Sequence, residues 1–283
     1  MPQPGAELDI TVADVERLVG TQHPALRASV RRAASGWDND VFRLGEDLAV
    51  RLPRRQAAVP LIEHEQRWLA DIAARMPVDL PVPVAVGRPD PGFPWPWSIV
   101  PWFEGTVAAT VSASERNGIA RQLADALRAL HVPAPIDAPR NPVRGVPLAD
   151  RAAAVEPRFA AFPELRGLWR AGLAAPSWPH PPVWVHGDVH PGNIVVRDGR
   201  VRALLDFGDM CAGDPACDLA IAWLGFTADG RDVFQRSLAD AYDSHVWTRA
   251  RAWAAAIAAL LADADDAWLR AMSAAAVAEL TAR

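Results

Sequence analysis

Short apolar runs dominate the first third of the chain and predict a lobe made mainly of β-strands. They are separated by Gly, Pro, Asp and Glu, and valine alternates with proline at 77–87, which is typical of an edge strand. Helical periodicity predicts two helices here, at 11–20 with Thr11 as N-cap and at 57–74. The predicted strands are residues 30–33, 41–44, 48–52, 77–87 and 97–103.

Helical periodicity prevails after residue 103 and predicts a second, mainly α-helical lobe. A Ser-x-x-Glu capping box at Ser112 and Glu115 begins a helix that is predicted to end at His131. Residues 133–147 contain five prolines and are predicted to form a connector. Further helices are predicted at 148–174, with a break at Pro157 and a second candidate break at Pro163, and at 215–225, 230–244 and 248–281. We therefore expect an α+β fold with two lobes, residues 1–102 and residues 103–283.

Composition and charge exclude several classes of partner. The 283 residues carry a formal net charge of −5 and no lysine, so the chain lacks the basic footprint of nucleic-acid binding. The longest apolar stretch, 252–262, is far too short to span a bilayer. At the N-terminus no cationic segment precedes an apolar run, so we do not expect a secretory signal. Cys211 and Cys217 have no further Cys or His nearby and fit a reducing cytoplasm.

Most of the candidate chemistry lies around one predicted hairpin. Residues 194–197 and 201–205 predict two strands, and Asp198-Gly199 is a typical two-residue turn between them. Because the return strand is antiparallel, Asn193 and Asp206 should share one end of the hairpin. Asp188 lies just upstream on the incoming loop.

Two carboxylates and an amide in this arrangement match the needs of phosphoryl transfer. One carboxylate orients the attacking hydroxyl and accepts its proton, and a second carboxylate with an amide oxygen holds Mg²⁺. We assign Asp188 to the first role, and Asn193 with Asp206 to the second. The alternative is a hairpin with polar ends and no chemistry. The order Asp-x4-Asn, Asp-Gly turn, Asp-Phe-Gly favours the kinase-type site.

The same segment resembles the aminoglycoside phosphotransferase family, a small-molecule branch of the protein-kinase-like fold. The resemblance rests on His-Gly-Asp-Val-His-Pro-Gly-Asn at 186–193, Asp-Phe-Gly-Asp at 206–209 and Gly-Asp-Pro-Ala-Cys-Asp-Leu-Ala at 213–220. A more moderate similarity at 36–44 and 48–54 extends it to the first strands. It implies a two-lobed protein-kinase-like fold, with a small β-rich nucleotide-binding lobe and a larger helical lobe for catalysis and substrate binding.

The resemblance also implies a nucleotide site on the small lobe. Protein-kinase-like folds bind phosphates with a basic residue on the third strand, held by a glutamate of the following helix. Since lysine is absent, this role falls to an arginine or is missing, and Arg51 occupies the matching position on the strand 48–52. Its guanidinium can bind phosphate through two hydrogen bonds, and the alternative is a strand arginine that faces solvent. Its partner is Glu65 or Glu63, and Glu65 matches the family pattern better.

Two further segments are expected to contact the nucleotide. The loop 35–40 contains Gly36 and lies where a phosphate-covering loop belongs, although it lacks Gly-x-Gly-x-x-Gly. At the crossing to the second lobe, the resemblance implies that backbone groups near Val100 and Trp102 pair with a purine edge. Pro101 offers no N–H donor there.

Several polar residues around the motifs are expected to support them. His186 is predicted to hold the catalytic loop through backbone hydrogen bonds, and Asp218 to anchor that loop from beneath. Asp214 before Pro215 fits a helix N-cap. His190 and Asp209 stay open, since either could contact the acceptor.

We therefore expect an ATP- and Mg²⁺-dependent phosphotransferase that acts on a hydroxyl of a small molecule. An aminoglycoside or related antibiotic is one acceptor, and an ordinary metabolite such as an amino alcohol or sugar is the alternative. A non-catalytic nucleotide-binding scaffold is a second alternative. Carboxylates in the C-terminal helices are interspersed with arginines and form no clear acidic tract for a polycation. We expect a cytoplasmic protein with no nucleic-acid or membrane partner, and the sequence leaves its oligomeric state open.

Overall fold

The N-terminal lobe of the computed structural model, which describes residues 4–282, is built on a five-stranded antiparallel sheet. Its strands are β1 (Val30–Ser35), β2 (Asn39–Leu44), β3 (Leu48–Pro53), β4 (Ala85–Gly87) and β5 (Trp97–Pro101). The strand order is β1-β2-β3-β5-β4, so β4 is an edge strand, as predicted. Helix α1 (Val12–Gln22) begins with a capping box between Thr11 and Asp14, and α2 (Val59–Ala73) follows β3.

The core of this lobe lies between the sheet and α1. Phe42, Val50 and Ile99, on β2, β3 and β5, pack with Leu18 of α1 in one hydrophobic cluster. Leu69 of α2, in contrast, packs with the core of the second lobe. Helix α2 therefore couples the two lobes.

The second lobe is mainly helical. Its helices are α3 (Ala113–Arg116), α4 (Ala120–Leu130), α5 (Ala152–Val155), α6 (Arg166–Ala174), α7 (Ala216–Leu219), α8 (Ile221–Leu224), α9 (Ala228–Ser237), α10 (Ser244–Leu261) and α11 (Ala267–Thr281). A three-stranded sheet contains β6 (Thr106–Val107), β8 (Ile194–Arg197) and β9 (Arg200–Leu204). A two-stranded sheet pairs β7 (Val183–Val185) with β10 (Cys211–Gly213).

Alanine-rich α10 lies at the centre of the helical lobe. Ten of its residues are buried, and Gly172 of α6 approaches Ala252 so closely that no Cβ fits between the two backbones. Small residues allow this contact, because bulkier side chains would separate the helices. Within residues 4–282, no helix is long and apolar enough to cross a membrane.

Several predicted elements are shorter than expected. The helix predicted from Ser112 to His131 is interrupted by a 3-10 turn at Asn117–Ile119, where Gly118 lowers helix stability. The edge strand predicted at 77–87 contains only Ala85–Gly87, because the prolines before it donate no ladder hydrogen bonds. The helix predicted at 230–244 ends at Ser237.

The long helix predicted at 248–281 is also wrong as a single element. It is two helices, α10 and α11, separated by a turn that contains Asp263, Asp265 and Asp266. Aspartate favours caps and turns over helix interiors, and Asp266 takes the N-cap position of α11. The break matters for the site because it places Trp268 in the first turn of α11.

Candidate active site

The hairpin that carries the motif has the predicted geometry. Strand β8 pairs with β9, and Asp198 and Gly199 both have positive φ (51° and 71°), as a type I′ turn requires. At the other end, the backbone N–H of Leu205 donates to the Asn193 carbonyl at 2.8 Å. Asn193 and the residue after Leu205, Asp206, therefore share the open end of the hairpin.

The catalytic loop that precedes the hairpin is held from beneath by Asp218. This carboxylate is fully buried and accepts hydrogen bonds from the backbone N–H groups of His186 and Gly187 at 2.7 and 2.9 Å. Its second neighbour is the His131 ring, whose Nε2 lies 3.0 Å from Oδ2. His186 adds a ring contact of 2.9 Å from Nε2 to the Leu205 carbonyl. The anchoring roles predicted for His186 and Asp218 are both present.

Gly187 is required at its position in this loop. Its φ is +85°, and a Cβ there would lie 2.5 Å from the Asp209 carbonyl oxygen. The chain can approach Asp209 only without a side chain, and this approach brings Asp188 and Asp209 to the same face of the loop.

Asp188 presents its carboxylate to a guanidinium and to an imidazole ring. Oδ1 lies 3.1 Å from Nη2 of Arg144, and Oδ2 lies 3.3 Å from Nε2 of His190. Its side chain is 36% exposed, so a hydroxyl could reach it. Burial by itself would raise the pKa of Asp188, but the charge and hydrogen bond of His190 and the charge of Arg144 outweigh it and hold that pKa well below its ordinary value. Asp188 is therefore ionised at neutral pH.

Arg144 is a site residue that the sequence did not reveal. It comes from the proline-rich connector, and its Nε lies 3.5 Å from Oδ2 of Asp209 in addition to the contact with Asp188. Asn141 fixes the same carboxylate through Nδ2 at 2.8 Å and accepts the Arg144 backbone N–H through Oδ1. The only sequence signal is Gly145, which has positive φ (62°) and packs closely against Gly213 of β10.

An aromatic ring from the last helix completes the wall beside His190. Trp268 of α11 lies 5.4 Å from the His190 ring, between centroids, and is 37% exposed. Gly192 lies directly beneath it, and a Cβ there would come within 2.7 Å of the indole. The prediction of one long helix at 248–281 did not place Trp268 at the site, because the position of Trp268 depends on the break before α11.

On the small lobe, Arg51 and Glu65 form a buried ion pair. Nη1 of Arg51 contacts both Glu65 oxygens at 2.8 and 2.7 Å, while Glu63 is exposed. Nη2 of Arg51 reaches across to Oδ1 of Asp206 at 3.2 Å. Burial lowers the pKa of Arg51, but Glu65 and Asp206 raise it by more, so the guanidinium stays charged. The small lobe is thus bonded directly to the residue predicted to hold metal.

The loop that contains Gly36 is closed by its own ion pairs. Gly36 donates its N–H to the Asn39 carbonyl at 2.9 Å, and its carbonyl accepts from Arg54 at 2.6 Å. Asp38 pairs with Arg55 at 2.6 Å. Of the two loop aspartates, Asp40 is buried, and Arg32 and Arg54 lie 3.2 and 3.6 Å from it. These contacts neutralise the aspartates that would otherwise repel a phosphate.

Val100 and Trp102 lie at the crossing between the lobes. Val100 is buried on β5 opposite Ala49, and the Trp102 ring stacks under the Arg43 guanidinium at 4.6 Å. The Trp102 backbone N–H donates to the Asp47 carbonyl at 2.7 Å. That donor is already used, so purine pairing at this crossing would depend on other backbone groups.

The metal ligands predicted from the sequence form a small oxygen-donor set. Within residues 4–282, no group of three or more His, Cys, Asp and Glu side chains could hold a metal. The open end of the hairpin instead offers Asp206, whose side chain is 56% exposed, and the Asn193 amide. Oxygen donors of this kind and number suit an ion that also binds phosphate and water.

Taken together, the β-rich lobe with its Arg–Glu pair and the helical lobe with its aspartate, asparagine and Asp-Phe-Gly segment define a kinase-like phosphotransferase. A sequence model of the phosphotransferase enzyme family (APH) matches residues 29–253. The chain belongs to this family, whose members are kinases acting on hydroxyl groups. A search of curated proteins found no significant match by sequence.

Solved structures share this fold across nearly the whole chain. An APH(2'') enzyme bound to GDP and kanamycin superposes with a TM-score of 0.71 at 17% identity, covering 92% of this chain and 96% of that chain. The apoenzyme of macrolide 2'-phosphotransferase MphH from Brachybacterium faecium has a TM-score of 0.65 at 23% identity, covering 96% and 98%. A ternary complex of APH(2'')-IIa with streptomycin and ATP has a TM-score of 0.61 at 17% identity, covering 98% and 100%.

Proposed function

We propose that this protein transfers the γ-phosphate of ATP to a hydroxyl of a small molecule in a Mg²⁺-dependent reaction. The observation that carries this proposal is the bond between Arg51 and Asp206, 3.2 Å long, which joins the small-lobe ion pair to the open end of the hairpin. Nucleotide phosphates bound by Arg51 would then lie beside Asp206 and Asn193. Solved relatives in complex with GDP, ADP or ATP support nucleotide binding at such a fold.

Asp188 is proposed as the group that receives the acceptor proton. One oxygen of its ionised carboxylate would accept a hydrogen bond from the attacking hydroxyl. That oxygen would take the proton as the hydroxyl oxygen forms its bond to phosphorus. Arg144 and His190 hold both oxygens, so the carboxylate keeps one orientation. Because positioning and charge stabilisation dominate phosphoryl transfer, this fixed geometry is itself a source of rate.

Asn193 and Asp206 are proposed to hold the magnesium ion, and their surroundings fit it. The Asn193 Nδ2 donates to the Asp188 carbonyl at 3.0 Å, which turns Oδ1 the other way, and no hydrogen bond of residues 4–282 uses that oxygen. Asp206 has one oxygen against Arg51 and the other available. When bound, Mg²⁺ would neutralise charge on the phosphates.

Arg51, held by Glu65, is proposed to bind the nucleotide phosphates, with Gly36 in the loop above them and the backbone near Val100 and Trp102 beside the base. A domain boundary after residue 102 and a cytoplasmic location, where ATP is supplied, belong to the same proposal.

The acceptor is either an antibiotic, of the kind named for the solved relatives, or an ordinary hydroxylated metabolite such as an amino alcohol or sugar.

The test is Mg²⁺-dependent ADP release from ATP by the purified protein against aminoglycosides, macrolides, sugars and amino alcohols. Asp188→Asn should lower turnover by roughly 10²- to 10⁴-fold, the usual contribution of a general base, while nucleotide binding is retained. Asp198→Asn is the matched control, since this exposed residue lies at the opposite tip of the hairpin and asparagine tolerates its positive φ. Equal turnover by Asp188→Asn and the wild type would contradict the proposal. Nucleotide binding with no turnover on any acceptor would favour the scaffold.

A further inference from the structure

Three side chains from separate elements form a hydrogen-bonded chain that ends at the catalytic loop. The hydroxyl of Tyr242, which lies between α9 and α10, is 2.7 Å from Nδ1 of His131 at the C-terminus of α4. Nε2 of the same ring lies 3.0 Å from Oδ2 of Asp218 in α7. Asp218 accepts the backbone N–H groups of His186 and Gly187. A half-buried tyrosine outside the site is therefore linked to the loop that carries the candidate base.

The Asp218 carboxylate determines where the His131 proton lies. Burial raises the pKa of Asp218, but the hydrogen bond and charge of His131 and the charge and N–H of His186 lower it by more, so the carboxylate is ionised at neutral pH and can only accept hydrogen bonds. Nε2 of His131 must then carry the proton, because an unprotonated nitrogen would turn its lone pair toward an oxygen 3.0 Å away. In a neutral imidazole this leaves Nδ1 as an acceptor.

Tyr242 supplies the donor that Nδ1 needs. Burial and then the charge of Asp218 raise the pKa of Tyr242, so its hydroxyl keeps its proton and can donate across the 2.7 Å to Nδ1. The hydrogen bonds thus run in one direction, from the Tyr242 hydroxyl to His131 and from His131 to the carboxylate. A histidine whose second nitrogen is bonded in this way has a fixed tautomer and a fixed ring orientation.

The ring of Tyr242 could be replaced by phenylalanine without loss of packing. It lies edge-on to Trp247 and to His131, with centroids 6.2 and 6.0 Å apart, and phenylalanine would keep both contacts. The chain contains twelve tryptophans, eight phenylalanines and this single tyrosine. The bond to Nδ1 is what distinguishes tyrosine from phenylalanine at this position, so the role of Tyr242 should lie in that bond.

We propose that Tyr242 is a positioning residue for phosphotransfer at Asp188, a role that rests on the phosphotransfer proposed above. Its hydroxyl fixes the tautomer and the orientation of the His131 ring, so that Nε2–H points at the Asp218 carboxylate. The carboxylate then keeps the backbone of the catalytic loop, and with it Asp188, in place.

Loss of the hydroxyl should act on turnover more than on nucleotide binding. Nδ1 of His131 would become a buried acceptor without its donor, and the ring can relieve this by turning or by moving its proton. Either change weakens the bond to Asp218 and loosens the backbone before Asp188. A misplaced general base loses rate, whereas nucleotide binding on the small lobe should be unchanged.

The first test is NMR of the full chain, which needs no acceptor. In the wild type at pH 7, the nitrogen shifts of His131 should show a neutral ring with its proton on Nε2, and a His131→Gln spectrum identifies its signals among those of the seven histidines. In Tyr242→Phe, the amides of His186 and Gly187 should exchange with solvent about three- to tenfold faster relative to buried amides of α10, the loss of one hydrogen bond converted to a ratio. Thr248→Val, which removes a hydroxyl bonded within α10, should leave both readouts unchanged.

The second test is turnover, measured as Mg²⁺-dependent ADP release with the acceptor of the panel above that gives the highest rate. Tyr242→Phe should lower kcat about three- to tenfold, while KM for ATP changes by less than about twofold. In a His131→Gln background the same substitution should change kcat by less than about twofold, because glutamine has no Nδ1 to receive the hydroxyl and its amide can donate to Asp218 without it. Thr248→Val should keep the wild-type kcat.

A wild-type His131 ring protonated on Nδ1, or on both nitrogens, would overturn the inference, because the Tyr242 hydroxyl would then be an acceptor. This readout stays decisive if Tyr242→Phe fails to fold. An unchanged exchange ratio in a folded Tyr242→Phe, or an equal loss of kcat in the His131→Gln background, would also overturn it, since the hydroxyl would not act through the imidazole. Absence of turnover by the wild type on every acceptor would count against the proposed phosphotransfer alone, because the NMR results test the hold of Tyr242 on the loop without it.

Discussion

Glu65 and Phe207 are joined by a hydrogen bond of 3.0 Å, in which the Phe207 backbone N–H donates to Oε1 of Glu65. The same carboxylate binds Arg51, so one buried side chain connects the small-lobe ion pair to the Asp-Phe-Gly segment of the helical lobe. The alignment of the predicted phosphate-binding arginine with the predicted metal ligand therefore depends on Glu65. This dependence makes Glu65 a direct target for mutation.

Glu65→Ala should destabilise the protein and weaken nucleotide binding together. Glu65 is 3% exposed, and its removal leaves a buried guanidinium without its main partner, which costs about 3–5 kcal/mol. Urea unfolding and titration with a fluorescent ATP analogue measure the two effects. Glu63→Ala, at an exposed position of the same helix, should change the unfolding free energy by no more than about 0.5 kcal/mol. Equal effects of the two substitutions would mean that the ion pair is not what holds Arg51.

Local chemistry explains why the hairpin and its flanks could be predicted from the sequence. Asp198-Gly199 specifies the turn, the turn fixes the register, and the register brings Asn193 and Asp206 to one end. The choice of Glu65 over Glu63 came instead from the resemblance to the family, and the structure places Glu65 on the buried face of α2. The hairpin relationship spans only a few residues on either side of one turn, so periodicity and turn type are sufficient there.

Arg144 and Trp268 could not be predicted in this way, because tertiary contacts place them. Arg144 lies in an irregular, proline-rich segment that has no periodicity to indicate which side chains face the site. The close approach of Gly145 to Gly213 fixes the segment, and this contact joins residues far apart in the sequence. Trp268 depends on a helix break whose position the alanine-rich pattern obscured.

Gly187→Ala should disturb the catalytic loop more than its size suggests. The residue needs positive φ, and the added Cβ would press on the Asp209 carbonyl, so we expect a cost of about 1–3 kcal/mol in stability. Turnover should fall as well, because Asp188 is the next residue. The matched control is Gly167→Ala in α6, where a Cβ meets nothing within 4 Å and the helix should gain about 0.4–1 kcal/mol. Thermal melts measure the change in stability, and ADP-release assays measure the change in turnover. A Gly187→Ala variant as active and stable as the wild type would contradict the strain argument.

Asp206→Asn should raise the Mg²⁺ requirement without unfolding the protein. Asparagine tolerates the positive φ of this position (57°), and Arg51 keeps its partner Glu65. Loss of the carboxylate charge should raise the Mg²⁺ concentration for half-maximal nucleotide binding by at least about tenfold, since even outer-shell partners of a metal contribute that much. A magnesium titration monitored by a fluorescent ATP analogue measures it, with Asp198→Asn as control. An unchanged magnesium midpoint would remove Asp206 from the proposed metal site.

The contribution of Asp218 to stability should depend on pH in a defined direction. Burial raises its pKa, but the hydrogen bond and charge of His131, the charge of His186 and the His186 N–H lower it by more, so the folded-state pKa lies below the ordinary value of 3.8. A carboxyl whose pKa is depressed by folding stabilises the protein above its unfolded pKa, and this stabilisation is lost as the pH falls through the folded pKa.

At pH 7, Asp218→Asn should cost about 2–4 kcal/mol, because a buried charged acceptor of two backbone N–H groups becomes neutral. With His131→Gln in both proteins to remove the neighbouring imidazole, the difference in unfolding free energy between the protein with Asp218 and the Asp218→Asn variant should shrink below about pH 4. Urea unfolding between about pH 7 and pH 3 is the measurement. A difference that widened below about pH 4 in this pair would mean that Asp218 is not ionised in the folded protein, and that its hold on the His186–Gly187 backbone has another origin.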